Sequence, residues 1–169
     1  MAWTTPATVV AGSTELTAAL WNEQVRDNAT AIRAAQVNVV QVTKSNGNVT
    51  STGGTEQTVL TLNITPSSSD SKILLLCSAG GNAIASSNAI ARVMLYRSTT
   101  QLLRYDQGRG DAGTYYWQTS LTHLDSPAST SQQTYTFRIN RGSGGTSSVT
   151  CVASDSADGP RLVAMEIAV

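Results

Sequence analysis

Charge is scarce in this 169-residue chain: only 13% of its residues are Asp, Glu, Lys or Arg, and the 11 acidic and 11 basic side chains cancel. Bulk attraction to a phosphate backbone or an anionic lipid surface needs clustered Lys and Arg, so nucleic acid and membrane surfaces are poor partners for it. Long apolar runs are missing as well. No stretch approaches the roughly 18 apolar residues of a spanning helix, and the N-terminus lacks the basic-then-apolar pattern of a secretory signal. The expectation is a soluble protein made in a cytoplasm.

Catalytic residue types are equally thin. His123 is the single histidine, and Asp125 follows two positions on. In a strand such a pair shares a side but stands apart along it, which does not give the contact by which an Asp orients a catalytic His. There is no Gly-x-Ser-x-Gly elbow, and Gly142-Ser143-Gly144-Gly145 lacks the Lys of a phosphate loop. Asp106, Asp111, Asp125, Asp155 and Asp158 fall in or beside loops, where solvated carboxylates are the norm. Nothing pairs two of them at the separation of about 5 to 9.5 Å that glycan hydrolysis takes. No His/Cys cluster has zinc spacing, and no acidic loop has the oxygen density of a calcium site. The chain reads as a non-enzyme with no cofactor and no metal. Cys77 and Cys151, the only cysteines, sit in strand-like runs and read as small buried hydrophobes in a reducing compartment, with a disulfide between them as the alternative.

What the chain does contain is strand pattern. Leu60, Leu62 and Ile64 alternate with Thr61, Asn63 and Thr65, Pro66 and a Ser/Asp cluster halt the run, and a second strand starts at Lys72, so Leu60 to Cys77 reads as a β-hairpin. From Ile73 to Cys77 every residue is apolar, so both faces need cover: one from an opposing sheet, the other from a second copy of the chain. Further strands are expected at Val37 to Lys44, Ile90 to Arg97, Gln101 to Tyr105, Tyr115 to Leu124, Tyr135 to Asn140, Ser148 to Ala153 and Arg161 to Val169. Gly80-Gly81 and Ser86-Ser87-Asn88 bound a poorer segment between them. In the last strand Val163, Met165, Ile167 and Val169 make one apolar face. Glu166 is the sole charge from Leu162 to Val169, and it is expected to be buried near the subunit interface with an arginine partner among Arg92, Arg97, Arg104 and Arg138. The loop Gln107 to Gly113 is glycine-rich, and its Arg109-Gly110-Asp111 matches a cell-adhesion tripeptide that reads as ordinary mobile surface.

The first 36 residues differ. An arm with Trp3 and Pro6 leads to Ser13 or Thr14, either able to cap a helix, and no Pro or Gly interrupts Glu15 to Gln36. Trp21, Val25, Asn28 and Ile32 make a narrow stripe on that helix. Such a seam with one polar member suits parallel helices around an axis, the Asn fixing register; the other reading lays the stripe on the chain's own β-domain.

Ile64-Thr65-Pro66-Ser67-Ser68 leading into Ser71-Lys72-Ile73-Leu74 resembles a landmark of small β-rich virion proteins of tailed bacteriophages, described as tail-fibre, host-attachment or capsid-decoration proteins. Leu124-Asp125-Ser126-Pro127-Ala128 with Thr134-Tyr135, and Pro160-Arg161 with Ala164-Met165-Glu166-Ile167, are similar to later landmarks of the same group. Thr5-Pro6-Ala7-Thr8 through Leu16 to Asn22 and Val25-Arg26-Asp27-Asn28 is similar to N-terminal segments of phage fibre-like proteins, which implies an attachment module joined to different heads.

Together these readings predict a mainly β protein: an antiparallel, jelly-roll-like β-sandwich over 37–169 behind an N-terminal arm and α-helix over 1–36, assembled as a homotrimer. The subunit interface is placed at Leu74, Leu76, Met165, Glu166 and Ile167. The function expected is a virion structural protein, docked on other virion proteins of capsid or tail by its N-terminus and exposing a knob for host attachment. Arg109, Asp111, Tyr115, Tyr116 and Trp117 are then the candidates for contact with bacterial surface glycan. The alternative is a capsid decoration protein cementing the head at local threefold sites. The shortness of the chain favours decoration and the modular N-terminus a fibre.

Overall fold

The alternation in Leu60, Leu62 and Ile64 acts as a period-two pattern must: these three are buried, and Thr61, Asn63 and Thr65 between and after them are exposed. The computed structural model describes residues 38–52, 54–85, 89–109, 113–142, 146–153 and 159–168. Among these residues the regular elements are ten strands. They are β1 (Val39–Thr43), β2 (Val49–Ser51), β3 (Gln57–Ile64), β4 (Lys72–Ala85), β5 (Ala89–Arg97), β6 (Thr100–Arg109), β7 (Gly113–Asp125), β8 (Gln133–Arg141), β9 (Thr146–Cys151) and β10 (Arg161–Ile167). The N-terminal arm, the helix and its seam of Trp21, Val25, Asn28 and Ile32 lie outside the described residues.

Every pairing is antiparallel, and the strands form two sheets. The first is built on β4. β7 runs along one side of it from Ile73 to Ala85; on the other side β10 pairs with Lys72 to Ser78 and β9 with Gly81 to Ala85. β1 flanks β10, and β2 flanks β9. The second sheet has the order β3-β8-β5-β6.

β1 with β2, and β9 with β10, each act as one interrupted strand, so the ten segments reduce to eight. Counted that way, the first sheet runs first, eighth, third, sixth and the second runs second, seventh, fourth, fifth. The chain changes sheet at every connection but that between β5 and β6, which is the jelly-roll topology. The two interruptions are tied together: the Lys44 amide donates to the Pro160 carbonyl at 2.9 Å, and the Ala153 amide to Asn48 Oδ1 at 3.1 Å.

Inward-facing residues of both sheets make one core. Ile73, Leu75, Cys77, Leu121 and Leu162 from the first meet Val93, Leu95, Tyr135, Phe137 and Ile139 from the second. Cys77 and Cys151 are buried there as free thiols.

Leu60 to Cys77 is not a hairpin. Its two strands belong to different sheets, β3 pairing with β8 and β4 with β10 and β7, so Thr65 to Ser71 is a corner that carries the chain across the core. The alternation marked both strands correctly but could not name their partners, which lie roughly a hundred residues away for β10. Gly80 and Gly81 do not bound a weak segment either; they lie inside β4. A side chain at Gly81 would meet the Thr150 carbonyl oxygen at 1.9 Å and the Trp117 ring at 2.7 Å, so glycine is what lets β9 and Trp117 close on the spine. The segment from Gln107 to Arg109, expected as loop, is the end of β6.

Candidate functional site

Because successive side chains of a strand point to opposite sides, β4 and β10 present two sets of apolar residues. Ile73, Leu75, Cys77, Leu162 and Ala164 enter the core. Leu74 and Leu76, with Val163, Met165 and Ile167, take the outer side. The register aligns them in rows. Val39 of β1, Met165 of β10, Leu74 of β4 and Leu124 of β7 form one row across four strands; Gln41, Val163, Leu76 and Thr122 form the next. Val39 is 53% exposed and Leu124 49%, and Leu76 and Ile167 are also exposed. Neighbouring apolar side chains on one sheet face are a different matter from apolar residues scattered singly.

The outer side of the second sheet is closed by its own charges. Asp106 accepts from Arg92 Nε at 2.9 Å and from Arg104 Nη2 at 2.7 Å. The Arg104 and Arg92 hydrogen bonds hold its carboxyl well below the usual carboxylate range. Arg138 lies 4.1 Å over the Tyr96 ring and pairs with Glu56 at 3.2 Å, while the Tyr96 hydroxyl donates to Glu56 at 2.7 Å. Met94 stands between Arg104 and Arg138 in the register and is buried although it faces outward, the position of an apolar residue roofed by the stems of long cations. One sheet thus shows an apolar row and its apolar neighbours to the outside, and the other a lattice of ion pairs in which Arg92 and Arg104 share Asp106.

Four of the five residues expected at a subunit interface, Leu74, Leu76, Met165 and Ile167, share the apolar side. Glu166 does not. It faces inward and is buried, accepting from the Ser67 amide at 2.7 Å and from the Ser67 hydroxyl. Burial raises its pKa, but the Ser67 hydroxyl and amide, with Ser71 and the Ser68 amide, outweigh that and lower it. The expected arginine partner is absent for a topological reason. Arg92, Arg97, Arg104 and Arg138 all belong to strands of the second sheet and are paired with Asp106, Asp125, Asp106 and Glu56. Ser67, on the corner between β3 and β4, is what the end of β10 reaches.

Asp125 is a second correction. It is buried, not a solvated loop carboxylate, and it accepts from Arg97 Nη1 at 2.8 Å and from the Tyr135 hydroxyl at 2.7 Å. These bonds run from β7 in the first sheet to β5 and β8 in the second. Burial and the bond to Asp125 raise the Tyr135 pKa. With Asp125 so engaged, His123, half-buried opposite Leu75, has no orienting partner in it.

Of the residues proposed for glycan contact, Tyr115, Tyr116 and Trp117 do not share a side. Asp111 lies outside the described residues, and Arg109 ends β6. Tyr115 turns inward, accepting from the Ala91 amide at 3.1 Å and donating to the Gln107 carbonyl. Trp117 is buried in the core. Only Tyr116 between them faces out, 82% exposed. The period-two rule, applied to Tyr115-Tyr116-Trp117 as it was to β3, separates these three.

The strand order defines a jelly-roll sandwich, and apolar side chains lie on the outer side of one of its sheets. No protein-family model and no curated protein matches the chain. Solved structures similar to it include the infectious bursal disease virus particle, at a TM-score of 0.42 and 14% identity over 79% of this chain and 36% of that one. A second is the VP2 subviral particle of the same virus, at a TM-score of 0.37 and 15% identity over 79% of this chain and 38% of that one. This chain thus spans little more than a third of either, and its architecture is defined by its own strand order.

Proposed function

We propose that the chain is a self-associating virion structural protein of the tailed-phage fibre type. In this reading it is a homotrimer that docks on other virion proteins through residues 1–36 and carries the sandwich as a knob for host-surface attachment. It does no covalent chemistry. The observation that carries the proposal is the apolar row Val39, Met165, Leu74 and Leu124, with Val163 and Leu76 beside it, on the outer side of β1, β10, β4 and β7, set against an opposite sheet face covered by ion pairs. These side chains are already about half covered in the single chain, so each gains only part of the roughly 1.5 to 3 kcal/mol of full burial, and several must be buried together to offset the cost of association. The virion setting is supported by the ordered sequence landmarks, from Ile64-Thr65-Pro66 to Ala164-Met165-Glu166-Ile167, that resemble phage virion proteins.

Light scattering on the purified protein at micromolar concentration is expected to return three chain masses; the mass of one chain overturns self-association. Gold-labelled antibody on intact particles is expected at the tail. Label on the head would instead assign the trimer to cementing capsid subunits at local threefold sites.

A further inference from the structure

The interruptions of the first and last jelly-roll strands leave a gap in the first sheet. β10 stops pairing with β4 at Ser78 and β9 starts at Gly81, so the spine has no strand partner between them on that side. The Val152 amide spans the gap to the Gly80 carbonyl at 3.1 Å. A cleft of about 540 Å³ lies there, within the range of small-molecule sites, about 300 to 1,000 Å³. Ser78 and Gly80 belong to its wall on β4, Tyr116 and Gln118 to its wall on β7, and Val152 and Pro160 close it from the interrupted strand.

We propose that this cleft binds a neutral saccharide. Among the described residues no Lys, Arg, His, Asp or Glu lines it. What lines it instead is amphipathic. Tyr116 offers a large exposed ring for the C–H face of a pyranose, with Val152 and Pro160 as further apolar wall, and a hydroxyl at its tip. The Ser78 hydroxyl both donates and accepts, and the Gln118 amide does the same through separate atoms, which suits the neighbouring hydroxyls of a sugar. Gly80 keeps the floor low: a β-carbon there would already meet the Trp117 carbonyl oxygen at 3.3 Å and Gln118 Cγ at 3.5 Å. The cleft begins beyond the Leu76–Thr122 row of the same sheet side, so association through the apolar rows leaves it at their margin.

The proposal rests on the surface-attachment reading and names the chemistry of what is attached to. Saturation-transfer NMR on the full-length protein, with neutral trisaccharides of glucose, galactose and N-acetylglucosamine and with a uronic-acid trisaccharide, tests it. Transfer to the C–H protons of at least one neutral sugar is expected. The affinity is expected to fall at least about tenfold, or 1.4 kcal/mol, in Tyr116→Ala, and to fall in Gln118→Ala, with oligomeric mass and thermal unfolding unchanged. No transfer from any neutral sugar, transfer unaffected by both substitutions, or preference for the uronic acid overturns it. Mass and particle labelling are read separately, so loss of the saccharide site does not by itself remove the virion assignment.

Discussion

Leu74 and Met165 stand opposite each other across β4 and β10, and both turn away from the core. Their chain neighbours Ile73, Leu75, Ala164 and Glu166 turn inward and are buried. The first sheet is therefore apolar on both sides at its centre, whereas the second buries apolar residues on one side and ion pairs cover the other. The difference is why the proposed association is placed on the outer side of the first sheet.

Leu76 sits in that face, exposed, so a charge there does little to an isolated chain and much to a packed interface. Leu76→Lys is expected to shift the light-scattering mass to a single chain while far-UV circular dichroism keeps its strand signature. An unchanged mass would place the interface elsewhere.

The Asp125 carboxylate joins the sheets through Arg97 and Tyr135. Tyr135→Phe removes one bond to a charged group and is expected to lower stability by about 1.5 to 3 kcal/mol. Asp125→Ala strands both partners and is expected to cost about 3 kcal/mol or more. Urea unfolding at pH 7 reads both. Equal stability in the two variants and the wild type would mean that water serves the partners as well as Asp125 does.

How far the chain could be read in advance follows from the range of each interaction. Strand positions depend on alternation between near neighbours: the runs at Leu60 to Ile64 and Ile90 to Arg97 are strands as expected, and the run expected from Arg161 to Val169 is a strand as far as Ile167. The doubly apolar run Ile73 to Cys77 likewise announced a sheet with apolar residues on both sides. Pairing partners are another matter. The β3–β4 corner looked like a hairpin because Pro66 and the serines after it fit a turn, while its anchor, Glu166, is 99 positions from Ser67. Asp125 looked solvated for the same reason, since the Tyr135 hydroxyl that pairs with it sits on the opposite sheet. The cleft had no local signal at all. It arises where two strand breaks meet over Gly80, and only the topology puts Tyr116 and Val152 beside each other.

Cys77 and Cys151 are both buried in the core, and burial pushes each thiol up to about 12. For Cys77 the neighbouring Cys151 adds to the rise. The thiolate is the reactive form, so at pH 8 neither is expected to react with a disulfide reagent until urea unfolds the chain, when both react together. Rapid labelling of the native protein would contradict that burial.

Met165 and Glu166 are adjacent in sequence and opposite in role, which makes them the sharpest test of how β10 works. Met165→Ser is expected to weaken association and to leave the unfolding of the dilute single chain nearly unchanged, because the side chain meets only the outer row. Glu166→Gln should do the reverse. The folded carboxyl titrates below its usual range, so its contribution is complete above the unfolded value of about 4.3 and is lost as pH falls through the folded value. The variant is thus expected to be about 1 to 3 kcal/mol less stable than wild type near pH 7, where the charge-assisted bonds to Ser67 are intact. That gap should close as acid protonates the wild-type carboxyl. Thermal unfolding from pH 7 down to pH 3, with mass measured alongside, separates the two residues. A gap that stayed constant with pH would show that shape, and not the charge on Glu166, holds the corner at Ser67. A Glu166→Gln variant that lost its oligomeric mass while keeping its stability would move Glu166 back to the interface.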